Sequence, residues 1–330
     1  MRCVALISGG LDSHLAARLI GDQGVQVEAL HFTTPFVNEP DAARSVAQQL
    51  GVPLTEVALG DEFLSLVRQP RFGYSRAANP CLDCRILMFR QADAFRQQCG
   101  ADFVISGEVA GQQVSGQRRR DLEAIAHHSG LRDLLLRPLS AQTLPPTRPE
   151  REGWVDRERL RGFFGRGRRD LIQLARQMGI TPIPVPSGGC PLGEAPFARK
   201  VFDLIGHTPS ADAWQFLLLK HGRHFRVDST CKVIVGRNEA DNYELVKLFA
   251  SRGDRSAMLL VPEGFVGPVA LAIGPCDEAA ITFAIGLVHR FSKQPLREGG
   301  RVRVQQGADV SFREPLPCPV ADHARNLAEQ

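Results

Sequence analysis

The chain has 330 residues, 43% hydrophobic and 23% charged, with a net charge of +4. That is an ordinary globular composition with length for about two domains. No apolar run is long enough to span a bilayer, and the start of the chain lacks the pattern of a secretory leader, so a cytoplasmic protein with no membrane partner is expected. The small net charge does not by itself mark a nucleic-acid binder. The basic residues nevertheless cluster, at Arg118-Arg119-Arg120, at Arg157, Arg159 and Arg161, at Arg166, Arg168 and Arg169, and at Lys220-His221-Gly222-Arg223-His224.

In chain order, residues 4–7 form a strand that runs into Ser8-Gly9-Gly10-Leu11-Asp12-Ser13 and then a helix over 14–21. Glycines at a strand-to-helix turn let backbone N–H groups approach an anion, and the helix N-terminus adds its dipole. The Ser8 and Ser13 hydroxyls can donate to phosphate oxygens, and Asp12 and Ser13 are expected to cap the helix. A strand at 25–31, a helix at 41–50, a strand at 54–59, a helix at 84–99 and a buried strand at 103–105 follow. Such alternation predicts an α/β domain with a parallel sheet, whose ligand sits at the carboxyl ends of the strands. Three segments converge on that edge: residues 8–13, His31-Phe32 and Gly107-Glu108.

A helix at 169–178 precedes a stretch from Thr181 to Pro191 that is too rich in proline and glycine to be helical. Beyond it, strands at 232–237, 257–261 and 269–273 and a helix at 239–251 predict a second, smaller α/β domain. The boundary is placed near residue 200, giving domains 1–200 and 201–330. The segment from Glu314 onward is expected to be a weakly ordered tail.

Eight cysteines in a chain expected in the cytoplasm argue for thiol chemistry or metal ligation over a disulfide framework. Cys3, Cys99, Cys231 and Cys276 read as small buried hydrophobes. Cys81 and Cys84, in Asn79-Pro80-Cys81-Leu82-Asp83-Cys84-Arg85, stand one turn apart at a helix start, where the dipole favours thiolates. Cys190 ends the stiff Ser187-Gly188-Gly189-Cys190 loop. A redox pair, a zinc half-site and a cluster site are all open on this pattern. A structural zinc would need a fourth ligand from His127, His128 or Asp83.

Residues 8–13 (SGGLDS) resemble the pyrophosphate loop of the PP-loop ATP pyrophosphatases, which cleave ATP between the α and β phosphates. No Gly-Lys-Ser/Thr follows, so this is not a Walker A loop. Gly107-Glu108-Val109-Ala110-Gly111-Gln112-Gln113-Val114-Ser115-Gly116-Gln117, followed by Leu136-Arg137-Pro138-Leu139, resembles the second conserved stretch of tRNA 4-thiouridine synthetases. Residues 187–194 (SGGCPLGE) resemble the second catalytic-cysteine loop of tRNA 2-thiouridylases. The resemblance implies an ATP-dependent tRNA uridine thiolase, which adenylylates a uridine carbonyl oxygen and displaces AMP with sulfur.

The same resemblance implies roles for residues. Ser8, Gly9, Gly10, Leu11, Asp12 and Ser13 would hold the pyrophosphate with Mg²⁺, and Asp12 would be essential to the reaction. Leu30, His31 and Phe32 would hold adenine, and Gly107 with Glu108 would lie near the ribose or α-phosphate. Arg137 is a candidate for stabilising transition-state charge and equally for a structural ion pair. Cys81, Cys84 and Cys190 match the layout that holds a [4Fe–4S] cluster in several PP-loop tRNA thiolases, with zinc or a persulfide and its resolving thiol as alternatives. Gly222-Arg223-His224-Phe225-Arg226 and the segment 232–242 resemble the RNA-binding domain of NFACT-family proteins, so residues 201–330 are expected to contact tRNA. The further partners implied are a sulfur donor, either sulfide or a persulfide carrier protein, and a second copy in a homodimer. The alternatives are 2-thiouridine synthesis by a persulfide route, a PP-loop ligase acting on a small molecule, and a non-catalytic RNA-binding protein.

Overall fold

The computed structural model describes the chain except residues 114–115, 185–188, 254–255 and 294–298. Val114 and Ser115 of the 107–117 stretch, and Ser187 and Gly188 of the loop before Cys190, therefore lie outside the described residues. The chain forms two compact units, Met1–Cys190 and Pro191–Gln330.

The first unit runs β1 (Arg2–Leu6), α1 (Leu11–Gly21), β2 (Gln26–Thr33), α2 (Pro40–Leu50), β3 (Leu54–Ala58), α3 (Asp61–Arg68), α4 (Cys81–Gln98), β4 (Phe103–Ser106), α5 (Arg119–His128), β5 (Leu135–Leu136), α6 (Arg148–Arg151) and α7 (Arg169–Gln177). Its five strands are all parallel, in the order β3-β2-β1-β4-β5. Alternate residues of a strand point to opposite faces, and both faces here are apolar. Cys3, Ala5, Val27, Ala29, Phe103 and Ile105 pack with Ala17 and Ile20 of α1 and with Ala43, Val46 and Ala47 of α2. On the other face, Val4, Leu30 and Val104 pack with Ile86, Phe89 and Ala92 of α4 and with Ile125 and Ala126 of α5. A strand buried on both sides has to be apolar throughout, which is why the first strand is legible in sequence as a continuous run. The strand order reverses between β1 and β4, and in such sheets the crevice at the reversal is the ligand position.

Several boundaries differ from the sequence expectation. The first helix begins at Leu11 with Gly10 at its cap, so Asp12 and Ser13 lie inside the first turn and do not cap it. The cysteine helix begins at Cys81, and α3 and α5 were not anticipated. α5 starts within the arginine run at 118–120, yet its Leu122 and Ile125 are fully buried. The Arg157, Arg159 and Arg161 cluster is engaged within the protein, on Glu150 and Leu144, on Asp22, and on the carbonyls of Arg159 and Leu160.

The second unit runs α8 (Ala195–His207), α9 (Ala213–Leu218), β6 (Arg223–Arg226), β7 (Lys232–Val235), α10 (Glu239–Arg252), β8 (Ala257–Glu263), β9 (Ala270–Ile273), α11 (Glu278–Arg290), β10 (Arg301–Gln306), β11 (Asp309–Arg313) and α12 (Pro319–His323). Its six strands are antiparallel, in the order β11-β10-β8-β9-β7-β6. Val233, Val235, Met258, Leu260, Ala270 and Ala272 face α11, while Ile234, Leu259 and Leu271 share a core with Leu245 of α10. The α/β class with a second α/β domain is therefore as expected.

The tail is not. Residues after Glu314 fold back, with Ala321 and Leu327 buried and the Cys318 side chain packed close to Gly286. Arg290 donates to the carbonyls of Ala321 and Ala324, and Asn326 accepts from the His224 amide. Proline and polar residues suggested disorder, but a few small apolar side chains suffice to dock the segment. Among the described residues, no helix is long and apolar enough to cross a membrane.

Candidate functional site

The loop between β1 and α1 is shaped by its two serines and by close packing around its glycines. The Ser8 amide donates to Ser13 Oγ at 3.2 Å, Ser13 Oγ donates to the Gly10 carbonyl at 3.0 Å, and the two hydroxyls lie 3.3 Å apart. Gly9 has φ +81°, and a Cβ there would stand 2.5 Å from the Cβ of Ala42. Only glycine satisfies both conditions. Gly107, at the end of β4, presses on the same helix start: a Cβ there would lie 2.4 Å from the Ser13 amide nitrogen. The carboxyl ends of β1 and β4, which flank the reversal of strand order, thus meet backbone to backbone at the N-terminus of α1. That is the arrangement in which helix N–H groups and dipole favour an anion.

Asp12 is held by Gln112, whose Nε2 donates to Asp12 Oδ2 at 2.7 Å. His31 is buried and its Nδ1 donates to the Ile7 carbonyl at 2.8 Å, so the imidazole braces the β1–β2 edge. Leu30 is fully buried in the sheet, while Phe32 is half-buried. His14, in the first turns of α1, is buried with Nδ1 unpaired and is kept neutral by that burial and by the Arg18 charge.

Glu108 sits between two arginines. Arg137 Nε donates to its Oε2 at 2.8 Å, Arg85 Nη1 to its Oε1 at 2.5 Å, and Ser106 Oγ to Oε2 at 3.2 Å. Burial alone would raise this carboxyl, but the Arg137 and Arg85 charges and the hydrogen bonds hold it below its ordinary range. Arg137 is buried and also donates to the Leu122 carbonyl at 3.1 Å. Of its two readings, the structure displays the ion pair. Arg85 further reaches the Gly116 carbonyl and Gln113 Oε1, tying the cysteine helix to the 107–117 segment.

Cys81, Cys84 and Cys190 are half-buried. At 100° per residue, Cys81, Cys84 and Arg85 share one face of α4. The Cys84 thiol is pushed up to about 12 by burial first and then by Cys190, with Cys81 and Asp83 adding and Arg85 opposing. A thiolate at this helix start was expected. At Cys84 burial outweighs the dipole. The same shift places Cys190 within electrostatic reach of Cys84, so the distant cysteine does return to the pair.

Among the described residues, no three His, Cys, Asp or Glu side chains are set to hold a metal ion. Of the side chains considered as a fourth zinc ligand, Asp83 is engaged by hydrogen bonds. Asp83 accepts the Arg71 and Phe72 amides at 3.2 and 3.0 Å, and the His128 ring lies 5.1 Å from that of Phe72 and 4.9 Å from that of His127. Cys81 and Cys84 at the start of α4, with Cys190 within electrostatic reach of Cys84, are a donor set whose chemistry suits a group that takes several thiolate bonds. A cavity of about 220 Å³ near α4 is lined by Glu62, Phe72, Asp83, Leu87 and His128 among others. Its lining includes none of residues 8–13, 31–32 or 107–108, so this cavity is not the crevice between β1 and β4.

A doubly wound sheet with an anion cradle at its strand reversal defines the first unit as a nucleotide-binding type of α/β domain. Residues 1–143 match the family model described as thiamine biosynthesis protein (ThiI), and residues 222–315 match the NFACT protein RNA binding domain. The first unit is thus similar over residues 1–143 to the ThiI family, and the second over residues 222–315 to an NFACT-type RNA-binding domain. Among curated relatives, a "Probable tRNA sulfurtransferase" of Methanothermobacter thermautotrophicus is 27% identical over 201 residues, covering 57% of this chain and 43% of that protein. One from Streptococcus gordonii is 32% identical over 124 residues, 36% of this chain and 30% of that one. A tRNA-specific 2-thiouridylase MnmA of Syntrophotalea carbinolica is 35% identical over 117 residues, 32% of this chain and 33% of that protein. A 4-thiouridine synthetase solved with RNA and bound ATP aligns with a TM-score of 0.39 at 25% identity, covering 55% of this chain and 42% of that one. The chain spans less than half the length of the curated relatives it matches.

Gln112 and Arg85 were not singled out from sequence, although both stand inside quoted motifs. Their signal was proximity to motif glycines and cysteines. Their partners are 100 and 23 residues away in sequence, and no local pattern encodes that.

Proposed function

We propose that this chain is an ATP-dependent tRNA uridine thiolase. The observation that carries the proposal is the junction of Gly107 with the first turn of α1, reinforced by Gln112 on Asp12, within the segment that matches the ThiI family. Residues 8–13 bind the β and γ phosphates as a leaving group, and Mg²⁺, when bound with the nucleotide, would neutralise their charge. The uridine carbonyl oxygen attacks the α-phosphorus and pyrophosphate leaves. A sulfur nucleophile then attacks the base carbon, and the C–O bond breaks with AMP as leaving group. Asp12 acts at the phosphates, and Gly107, whose lack of a side chain lets the end of β4 close on the first turn of α1, lies beside the α-phosphate or ribose. The backbone near Leu30, His31 and Phe32 flanks adenine. Glu108 and Arg137 act as positioning residues that fix the 107–117 segment.

Cys81, Cys84 and Cys190 would hold a [4Fe–4S] cluster, which when bound offers an iron position without a protein thiolate at which sulfide can be carried. The second unit contacts tRNA through its NFACT-type domain. A persulfide route to 2-thiouridine is the second reading, supported by the match to a 2-thiouridylase. The raised Cys84 thiol weighs against Cys84 as its nucleophile.

The test is tRNA-dependent turnover of ATP. AMP and pyrophosphate are the expected products, abolished by Asp12→Ala without loss of the folded state. ADP and phosphate would overturn the reading, and mass analysis of the tRNA nucleosides separates 4-thiouridine from 2-thiouridine.

A further inference from the structure

The second unit contains a small cavity of about 140 Å³ that the thiolation reading does not use, lined by Thr208, Gln215, His224, Arg226, Thr230 and Lys232 among others. Its polar side chains come from the turn after α8, from α9, from β6 and β7, and from the turn between those two strands. Lys232 is 5% exposed and its Nζ lies 2.9 Å from Asp203 Oδ2. Arg226 is paired to the same carboxylate at 2.5 Å. Lys200, also buried, donates to the Leu219 carbonyl. Arg226 and Lys232 therefore share the half-buried Asp203 carboxylate, while Lys200 has only the more distant Asp241 as counter-charge. The other charged groups nearby do not cancel the surplus: Arg237 is paired with Asp241 at 2.6 Å, and Asp228 is an exposed turn residue that accepts from Thr230 and Cys231. Removing ammonium groups from water without enough counter-charge costs several kcal/mol each. Burial accordingly pushes both Lys200 and Lys232 down to about 8.

His224 supplies the second, independent observation. It is fully buried, its Nε2 donates to the His221 carbonyl at 2.8 Å, and its Nδ1 has no partner. With the proton on Nε2, Nδ1 is a bare acceptor in a cavity whose charged lining residues, Arg226 and Lys232, are donors and whose remaining wall is largely the apolar side chains of Leu204, Leu218, Leu219, Ile234 and Ile273. Burial and the charges of Lys232 and Lys200 keep it neutral. The ligand that satisfies this set is an oxyanion that also carries a hydrogen. At about 30 Å³ per water, the cavity has the volume of roughly five waters, enough for a phosphate group and too little for a nucleoside.

We propose that this cavity is a binding site for a phosphate monoester group, with Arg226 and Lys232 on its oxygens and the bare His224 nitrogen accepting its P–OH hydrogen. An internal phosphodiester has no such hydrogen. Within the RNA-binding reading, on which the RNA arm rests, the group is the terminal phosphate of an RNA chain. Inorganic phosphate shares the chemistry.

The full chain is titrated calorimetrically with inorganic phosphate and with sulfate, which has no proton at neutral pH. It is then titrated with tRNA bearing or lacking its 5′-phosphate. Phosphate is expected to bind at least tenfold more tightly than sulfate. Lys232→Gln is expected to weaken phosphate at least tenfold, and Thr208→Val, a milder change at the rim, severalfold. Preference for 5′-phosphorylated tRNA that disappears in these variants assigns the RNA end. Phosphate binding without that preference supports the site with free phosphate as its ligand. A chain that binds phosphate but no tRNA overturns the RNA-binding reading and not the pocket. Absence of phosphate binding, or sulfate binding equally well with Thr208→Val unchanged, overturns the pocket.

Discussion

Substitution Glu108→Gln isolates the electrostatic heart of the first unit. The carboxylate is 8% exposed and serves Arg137, itself 7% exposed, through Oε2 and Arg85 through Oε1. Glutamine keeps the volume and one acceptor but leaves two guanidinium groups without their counter-charge. Removing one partner of a buried pair costs about 3–5 kcal/mol. Arg85 is more exposed than Arg137, which places the expected loss near the lower figure, about 3 kcal/mol. Urea unfolding at neutral pH measures it. Acid provides an internal control. Because the folded carboxyl is held below its ordinary value of 4.5, its stabilisation is complete above that value and is lost as pH falls through the lower folded value. The gap between wild type and Glu108→Gln should therefore be constant from pH 5 to 8, at about that size, and shrink on acidification below the carboxylate range. A loss within about 0.5 kcal/mol of zero, or a gap that persists in acid, would refute the assignment.

Gly107→Ala is expected to weaken ATP binding and cost about 1–3 kcal/mol, because the new Cβ would stand 2.4 Å from the Ser13 nitrogen; equilibrium binding and thermal unfolding check it. Cys231 and Cys276, read from sequence as separate core residues, have sulfurs 3.2 Å apart across 45 positions. Mild peroxide should join them, adding about 4 kcal/mol by the loop-entropy relation, reversed by dithiothreitol; two thiols still titratable after oxidation would disprove this. Cys81→Ala, Cys84→Ala and Cys190→Ala should each lose iron, sulfide and thiolation together while ATP binding survives, whereas Cys99→Ala should behave as a mild packing change. Anaerobic iron analysis of the wild type should give about four irons per chain, and stoichiometric zinc without iron would overturn the cluster reading.

The parallel sheet was legible because β1 and β4 are buried on both faces and so read as apolar runs, and because Ser8–Gly10 and Gly107 stand where those runs stop. The helices that escaped notice are short or begin in charged sequence: α3 has eight residues, and α5 opens with two arginines before Leu122 and Ile125 turn inward. The site residues that sequence named were those with unusual backbone or thiol chemistry. What it could not supply was pairing. Whether Arg137 faces a phosphate or a carboxylate depends on Glu108, 29 positions away, and whether Cys84 ionises depends on how deeply α4 is buried. The docked tail shows the same limit, since Ala321 and Leu327 carry too little apolar pattern to announce a contact before its partner surface is known.

In the proposed thiolation, residues 8–13 and the cysteine helix serve one substrate, and both contact the 107–117 segment. Gln112 holds Asp12, while Glu108, Gln113 and the Gly116 carbonyl, on either side of it in sequence, hold Arg85. Hydrogen bonds to a carboxylate, as Gln112 makes to Asp12 and Arg85 to Glu108, are the kind that hold geometry firmly. That arrangement suits a reaction in which an activated oxygen must be met by sulfur before water reaches it. It also accounts for a buried carboxylate flanked by two arginines, where an apolar contact would have cost less to bury.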